Sequence, residues 1–213
     1  MYVPASFREN RPEVMHGLIE AHPLGTLVTC GQSGLLASPV PFLLDAATGE
    51  HGVLRAHLAR ANPHCKDLAT TAECLVIFQG ANGYITPAWY PSKADTHKVV
   101  PTWNYAAVHV RGRPVVMDDE DWLERQLTEL TRRQEGRRPA PWALKDAPAE
   151  FIAAQKKAII GVEIAIVQIE GKWKMSQNKE AADRRGVIQG LRDEDDPHGN
   201  PTVADLVEGR GNQ

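Results

Sequence analysis

Three stretches carry residue types that do chemistry. In His57-Leu58-Ala59-Arg60-Ala61-Asn62-Pro63-His64, His57, Arg60 and Asn62 stand close together at the end of an apolar, strand-like run. Arginine offers a permanently charged fork of donors, and histidine and asparagine add directional ones, which is the equipment of a phosphate clamp. A solvated loop turned by Asn62-Pro63 accounts for the same residues, and spacing alone leaves both readings open. The second stretch is Lys174-Met175-Ser176-Gln177-Asn178. Asn178 is a natural helix cap. Capping does not explain Lys174, Ser176 and Gln177 beside it. The third is Val99 to Gly112, read as a central strand. Alternation puts Trp103, Tyr105, Ala107 and His109 on one face and Asn104, Ala106, Val108 and Val110 on the other. A strand that only closes a core reads as Val and Ile. Trp, Asn, Tyr and His need hydrogen-bond partners where they are buried, and a planar polar ligand supplies them.

Other chemistries find less support. A metal site from His57, His64, Cys65 and Cys74 matches no closed zinc spacing and has no acidic partner nearby in sequence. Cys30 and Cys74 sit in apolar strands, where cysteine serves as core filler. A Cys65 nucleophile beside His64 lacks an orienting third group. The pairs Arg132-Arg133 and Arg137-Arg138 could touch DNA phosphates, but they alternate with Glu129 and Glu135 and suit a helix end. No GxGxxG follows a strand and no GxxxxGK[ST] occurs, so Rossmann and P-loop readings are set aside.

These stretches must be positioned by the elements around them. Asn10 and Pro12 open a helix carrying Met15, Leu18 and Ile19 on one stripe. Leu24 to Cys30 and Leu35 to Leu44 read as strands of a hairpin turning at Gly31-Gln32-Ser33-Gly34. A third strand runs from about Gly52 to His57, and a short helix follows through Lys66-Asp67-Leu68. Glu73 to Gln79 is an apolar strand, with Gly80 to Thr86 turning into another. After the long strand to Met117, Asp118 to Asp121 open a helix that ends near Arg132-Arg133 and Gly136. Arg137 to Pro148 reads as loop and Ala149 to Lys157 as helix. Ile159 to Ile169, a turn at Glu170-Gly171 and Lys172 to Lys174 read as a last hairpin. A helix from Lys179 to about Gln189 and a short one after Thr202 complete the chain. Strands joined by short turns, with helices added at the start, middle and end, describe a closed or nearly closed antiparallel barrel. One domain over 1–192, followed by an acidic linker and tail over 193–213, is the expected organisation.

The 213 residues are 42% hydrophobic and 24% charged, with a formal charge of −3, so nothing in the overall composition points to a polyanion partner. Three cysteines without a CxxC pair argue against a disulfide framework, and no segment reads as a leader or a membrane span. A cytoplasmic protein with no membrane partner is expected.

Five blocks carry a resemblance: Met1-Tyr2-Val3-Pro4 with Phe7; His57 to Pro63; Gly83-Tyr84-Ile85-Thr86-Pro87-Ala88-Trp89-Tyr90; Val100 to Tyr105 with Val108-His109; and Lys174 to Lys179. In that order they resemble the PaiB-type FMN-binding proteins, also called negative transcriptional regulators, among the pyridoxamine-phosphate-oxidase-like split barrels. One departure is Ala81-Asn82-Gly83, where the family commonly has a proline. The resemblance implies a mainly β, antiparallel split barrel with added helices, and a homodimer with FMN at sites drawing on both chains. It implies the phosphate near His57 and Arg60, with Asn62 in the same loop. Ser38, Pro39, Val40 and Pro41 would pass along the isoalloxazine edge, Trp103 and Asn104 would line the flavin, and Lys174, Ser176, Gln177 and Asn178 would approach from one side. Function then divides between an FMN-dependent redox protein and a transcriptional regulator with DNA as a partner. Haem handling, with His57, His64 or His109 as ligands, is the alternative.

Overall fold

The computed structural model describes residues 1–32 and 34–210. Its elements begin with β1 (Arg8–Glu9), α1 (Pro12–Ala21), β2 (Leu24–Gly31), β3 (Gly34–Pro41), β4 (Leu43–Asp45), β5 (Val53–Ala59) and α2 (His64–Leu68). Then come β6 (Cys74–Ile85), α3 (Ser92–Thr96), β7 (Thr102–Met117), α4 (Glu120–Glu135) and α5 (Ala149–Lys157). The chain closes with β8 (Ile159–Lys174), α6 (Ala181–Arg192) and α7 (Pro201–Gly209). Among the described residues the strands hydrogen-bond in the order β3-β2-β6-β7-β8-β5-β4, and β1 pairs with β8. The chain packs as two compact units, one of residues 19–78 and 109–169, the other of 1–18, 79–108 and the stretch from 170 onward.

In the first unit, alternation along β5 buries Leu54, Ala56 and Leu58 and leaves Val53, Arg55 and His57 half-buried on the other face. Leu27, Val76, Val162 and Ile164 are fully buried, and Phe42 meets Phe78 edge to face at 5.7 Å. α4 begins where Asp119 accepts from the Trp122 amide at 2.7 Å, with Glu120 and Asp121 in its first turn and Arg132 and Arg133 in its last, as the helix dipole favours. Trp122 lies on Gly161, where any Cβ would stand 2.2 Å from the indole, and it donates to Glu163 at 2.7 Å.

The second unit buries Met15, Ile85, Trp173, Met175, Val187, Leu191, Val203 and Val207. Trp89 seats against Gly186 and Gly190 of α6 and donates its indole N–H to Asp196 at 3.0 Å. Asp183 receives both the amide and the hydroxyl of Ser92. Asn200 caps α7 by accepting from the Val203 amide.

Several elements differ from the sequence reading. The hairpin between β2 and β3 forms, with Gly31 opposite Gly34 and Gly34 at φ 83°; Ser33 of the expected turn lies outside the described residues, as do the last residues of the expected tail. The expected strand to Leu44 is interrupted at Phe42, because its two halves pair with different partners, β3 with β2 and β4 with β5. Gly80 starts no turn, and β6 runs through to Ile85. Glu170-Gly171 is not a turn either. β8 continues because Arg8 and Glu9 pair with Lys172 and Gly171, and Gly171 is needed there, since a Cβ would stand 2.9 Å from Met15. Asn178 caps nothing: α6 starts at Ala181, and Glu180 occupies the cap position.

Candidate functional site

In the first unit, β5 delivers His57 and Arg60 to the head of α2. The Arg60 amide bonds the Ala158 carbonyl at 2.9 Å, and its Nε donates to the Lys157 carbonyl at 3.1 Å. Its two terminal nitrogens fork onto Asp118, one at 2.8 Å. Hydrogen bonding by Arg60 holds the Asp118 carboxyl below its ordinary range. Guanidinium has five N–H donors, so two remain once these three are used. Asn62 accepts from the His64 amide at 3.0 Å through its side-chain oxygen, the local turn that Asn-Pro invites.

Both histidines of this loop are withdrawn from solvent, His64 wholly and His57 in part. His64 is 1% exposed, with Nδ1 3.0 Å from the Thr29 hydroxyl and Nε2 buried with no partner among the described residues. His57 is half-buried, and its Nδ1 is likewise buried and unpartnered. Burial pushes both imidazoles below their ordinary pKa, an effect that Asp67 partly opposes at His64. Burial thus favours the uncharged form of each, and the permanent positive charge of this loop end belongs to Arg60. Burial also pushes the Cys65 thiol up, with the Sγ directed at the Ala59 carbonyl, so it is no activated nucleophile.

On β3, Ser38 is half-buried, Pro39 and Pro41 are exposed, and Val40 turns its side chain into the core. Pro39 and Pro41 have no N–H. This stretch can present carbonyl oxygens and the Ser38 hydroxyl, and Val40 only its backbone.

The second unit gathers the other expected residues at the end of β8. Trp103 is 49% exposed, donates to Asn82 at 3.1 Å and packs edge-on against Tyr84, whose ring also meets His198 at 4.7 Å. Asn104 is fully buried and donates to the Ser176 hydroxyl at 2.9 Å. Ser176 itself is buried and takes φ 59°, a left-handed backbone that few residues other than glycine adopt. Gln177 closes the same turn: its amide donates to the Trp173 carbonyl and its oxygen accepts from the Met175 amide, both at 2.6 Å. Lys174 donates to the Trp103 carbonyl at 2.8 Å and to the Thr102 hydroxyl. Burial, and then the neighbouring charges of Lys172 and Lys179, push its ammonium below its ordinary pKa. Asn178 is exposed. The structure thus joins Trp103, Asn104, Lys174, Ser176 and Gln177 through neighbouring backbone and side chains within this unit.

Sequence reasoning missed Asp118, which appeared only as a helix opener, and the cations Arg8 and Lys172. The alternation of Lys172 and Lys174 on one strand face was the available signal, obscured by placing a turn at Gly171. His109, the remaining haem candidate, is half-buried on β7. Among the described residues no helix is long and apolar enough to cross a membrane.

Comparison with known proteins agrees with this arrangement of elements. A protein of Emericella nidulans named only as uncharacterized is 37% identical, covering 99% of this chain and 98% of its own. Protease synthase and sporulation protein PAI 2 of Bacillus subtilis is 29% identical over 98% of this chain and 97% of its own. Among solved structures, the FAD and heme binding protein of Mycobacterium smegmatis is similar with a TM-score of 0.57 at 18% identity, over 78% of this chain and 73% of that one. That likeness shows the fold, a mainly antiparallel split barrel with added helices. Residues 1–186 match the family described as "Putative FMN-binding domain", and the chain belongs to that family.

Proposed function

We propose that the protein is a dimeric flavoprotein that binds FMN and holds its phosphate at the end of β5. The observation that carries this reading is the Arg60 fork. Lys157 and Asp118 hold it in place, it already grips an oxyanion in the form of a carboxylate, and it has two donors to spare. His57, whose burial favours the uncharged ring, and the side-chain NH2 of Asn62 add directional groups beside it. Ser38 to Pro41 are proposed along the ring edge, where carbonyl oxygens face ring N–H groups. Trp103, Asn104, Lys174, Ser176, Gln177 and Asn178 are proposed as further flavin contacts, with the exposed indole of Trp103 the natural stacking surface. Bound FMN supplies hydride or single-electron chemistry, while the chain binds and orients it.

Support comes from the family match and from these donors together. The purified protein is expected to be yellow and to release FMN on denaturation; a colourless protein that does not bind added FMN overturns the reading, and a Soret band moves it to haem. Arg60→Ala should weaken FMN by about 10- to 100-fold, the loss of a charge-assisted pair of roughly 1.5–3 kcal/mol, and leave riboflavin nearly unchanged. Equal losses for both ligands would remove Arg60 from the phosphate.

A regulatory role, as in the name of the Bacillus subtilis relative, is part of the same proposal. Arg133 is paired with Glu20 and Arg138 with Glu135, so carboxylates stand among these cations and lower their joint pull on a phosphate backbone. Preference for a specific operator over competitor DNA at raised salt is the required result.

A further inference from the structure

Among the described residues, cations collect around the end of β8 without ion-pair partners. Arg8 of β1 stands directly opposite Lys172. Opposed residues of an antiparallel pair share a face, so two like charges are neighbours, which weakens the pairing unless something neutralises them. Lys174 lies two residues along on the same face. Burial, and then the nearby charges of Lys172 and Lys179, push its ammonium below its ordinary pKa.

Lys172 is the most telling member. The residue is only 8% exposed, and its ammonium sits 5.7 Å from the Tyr2 ring centre and 5.1 Å from that of Tyr105. Aromatic faces favour a cation but bring no negative charge. Lys174 is spent on a carbonyl and a hydroxyl, and Lys179 lies over the Tyr90 ring at 4.7 Å. Among the described residues none of Arg8, Lys172, Lys174 and Lys179 forms an ion pair. The nearby carboxylates are already committed, Glu9 to Arg11 and Arg210, and Glu170 to the amino group of Met1. The stem of Lys172 is buried while its ammonium has no carboxylate partner among the described residues, and an incoming oxyanion would offset its repulsion with Arg8 and Lys174.

We propose that Lys172, Arg8 and Lys174 form an oxyanion-binding site, walled by the rings of Tyr2 and Tyr105, that takes a phosphate or carboxylate group of a small organic ligand. This site stands on these residues alone and does not rest on the Arg60 reading. Two sources carry this chemistry, the phosphate of FMN and the acidic group of a second ligand.

Calorimetric titration of the full chain with inorganic phosphate tests the site, first as purified and then after saturation with FMN or with riboflavin. Wild type should bind phosphate, and Lys172→Met, which keeps the buried stem, should weaken it tenfold or more. Lys172-dependent binding that survives FMN saturation assigns the site to a second ligand. Binding abolished by FMN but not by riboflavin, with FMN weakened in Lys172→Met, assigns it to the cofactor phosphate and takes that phosphate away from Arg60. Phosphate binding that is absent, or unchanged in Lys172→Met, or lost in Arg60→Ala alone, overturns the inference, and the last result leaves the Arg60 reading intact. Should Lys172→Met not fold, Arg8→Met at an exposed strand position is expected to weaken phosphate several-fold, and no change there overturns the proposal equally.

Discussion

Glu9 is the residue on which the acid stability of the chain should turn. It is 3% exposed, yet its two oxygens receive the Arg11 amide and Nε at 2.9 Å, Arg11 Nη2 at 2.7 Å and Arg210 Nη1 at 2.5 Å. Burial alone would raise its pKa. The hydrogen bonds from Arg11 and Arg210 outweigh burial and hold it at about 2, against an ordinary 4.5. A carboxyl depressed on folding contributes stability that is fully present above its unfolded pKa and is lost as pH falls through the folded one. Urea unfolding should therefore show stability falling between about pH 4.5 and 2, and Glu9→Gln should flatten that limb and cost about 2–3 kcal/mol at neutral pH. His57 and His64 have the same sign in a different window. Both are depressed by burial, so their contribution is complete above their ordinary value of 6.5 and declines as pH falls below it. An acid limb in Glu9→Gln identical to wild type would show that Glu9 is not responsible.

At the scale of elements, α6 gives a case where packing and propensity oppose each other. Alanine favours a helix interior over glycine by about 1 kcal/mol. A Cβ at Gly186, however, would stand 2.0 Å from the Trp89 carbonyl oxygen, a backbone atom that cannot rotate away. Gly186→Ala should consequently destabilise by about 1–2 kcal/mol net. Gly17→Ala in α1 is the control, since nothing lies within 4 Å of its Cβ and a gain of about 0.5–1 kcal/mol is expected from denaturant midpoints. If both substitutions stabilise, the Trp89 contact does not constrain α6. The same contact explains what the sequence concealed. Alternation made the buried strands legible, and Asp119 to Asp121 marked α4, because both signals are local. Glycines read as turns at 80 and 171 instead sit inside continuous strands, where tertiary neighbours crowd them, tightly at Gly171 by Met15 and Glu9 and mildly at Gly80 by the tip of Leu18.

For the whole molecule, the donor types of the candidate sites were legible while their partners were not. Arg60 announced an anion, but Asp118, which orients it, is 58 positions away in the chain. Asn104 read as a ligand contact, and the structure gives it Ser176, again through a long-range pairing. The apolar residues left outside bear on assembly in the same way. Leu24 and Leu35, on the hairpin of β2 and β3, are 62% and 75% exposed, while β3 ends the strand order and carries Pro39 and Pro41. Prolines on an end strand discourage sheet extension, because they offer no N–H to an added strand. A second copy would therefore be held by side-chain packing, with Leu24 and Leu35 among the groups that lose water. Single exposed leucines are ordinary, so the argument rests on two of them on one hairpin together with the dimer that the family resemblance implies. Light scattering of the FMN-saturated protein should give twice the mass of one chain, and Leu24→Lys with Leu35→Lys should shift it toward one. A protein that is monomeric at micromolar concentration with FMN bound would show that a single chain suffices for the flavin. A dimer indifferent to both substitutions would place its contact away from this hairpin, since two lysines buried without partners there would each cost far more than a surface change.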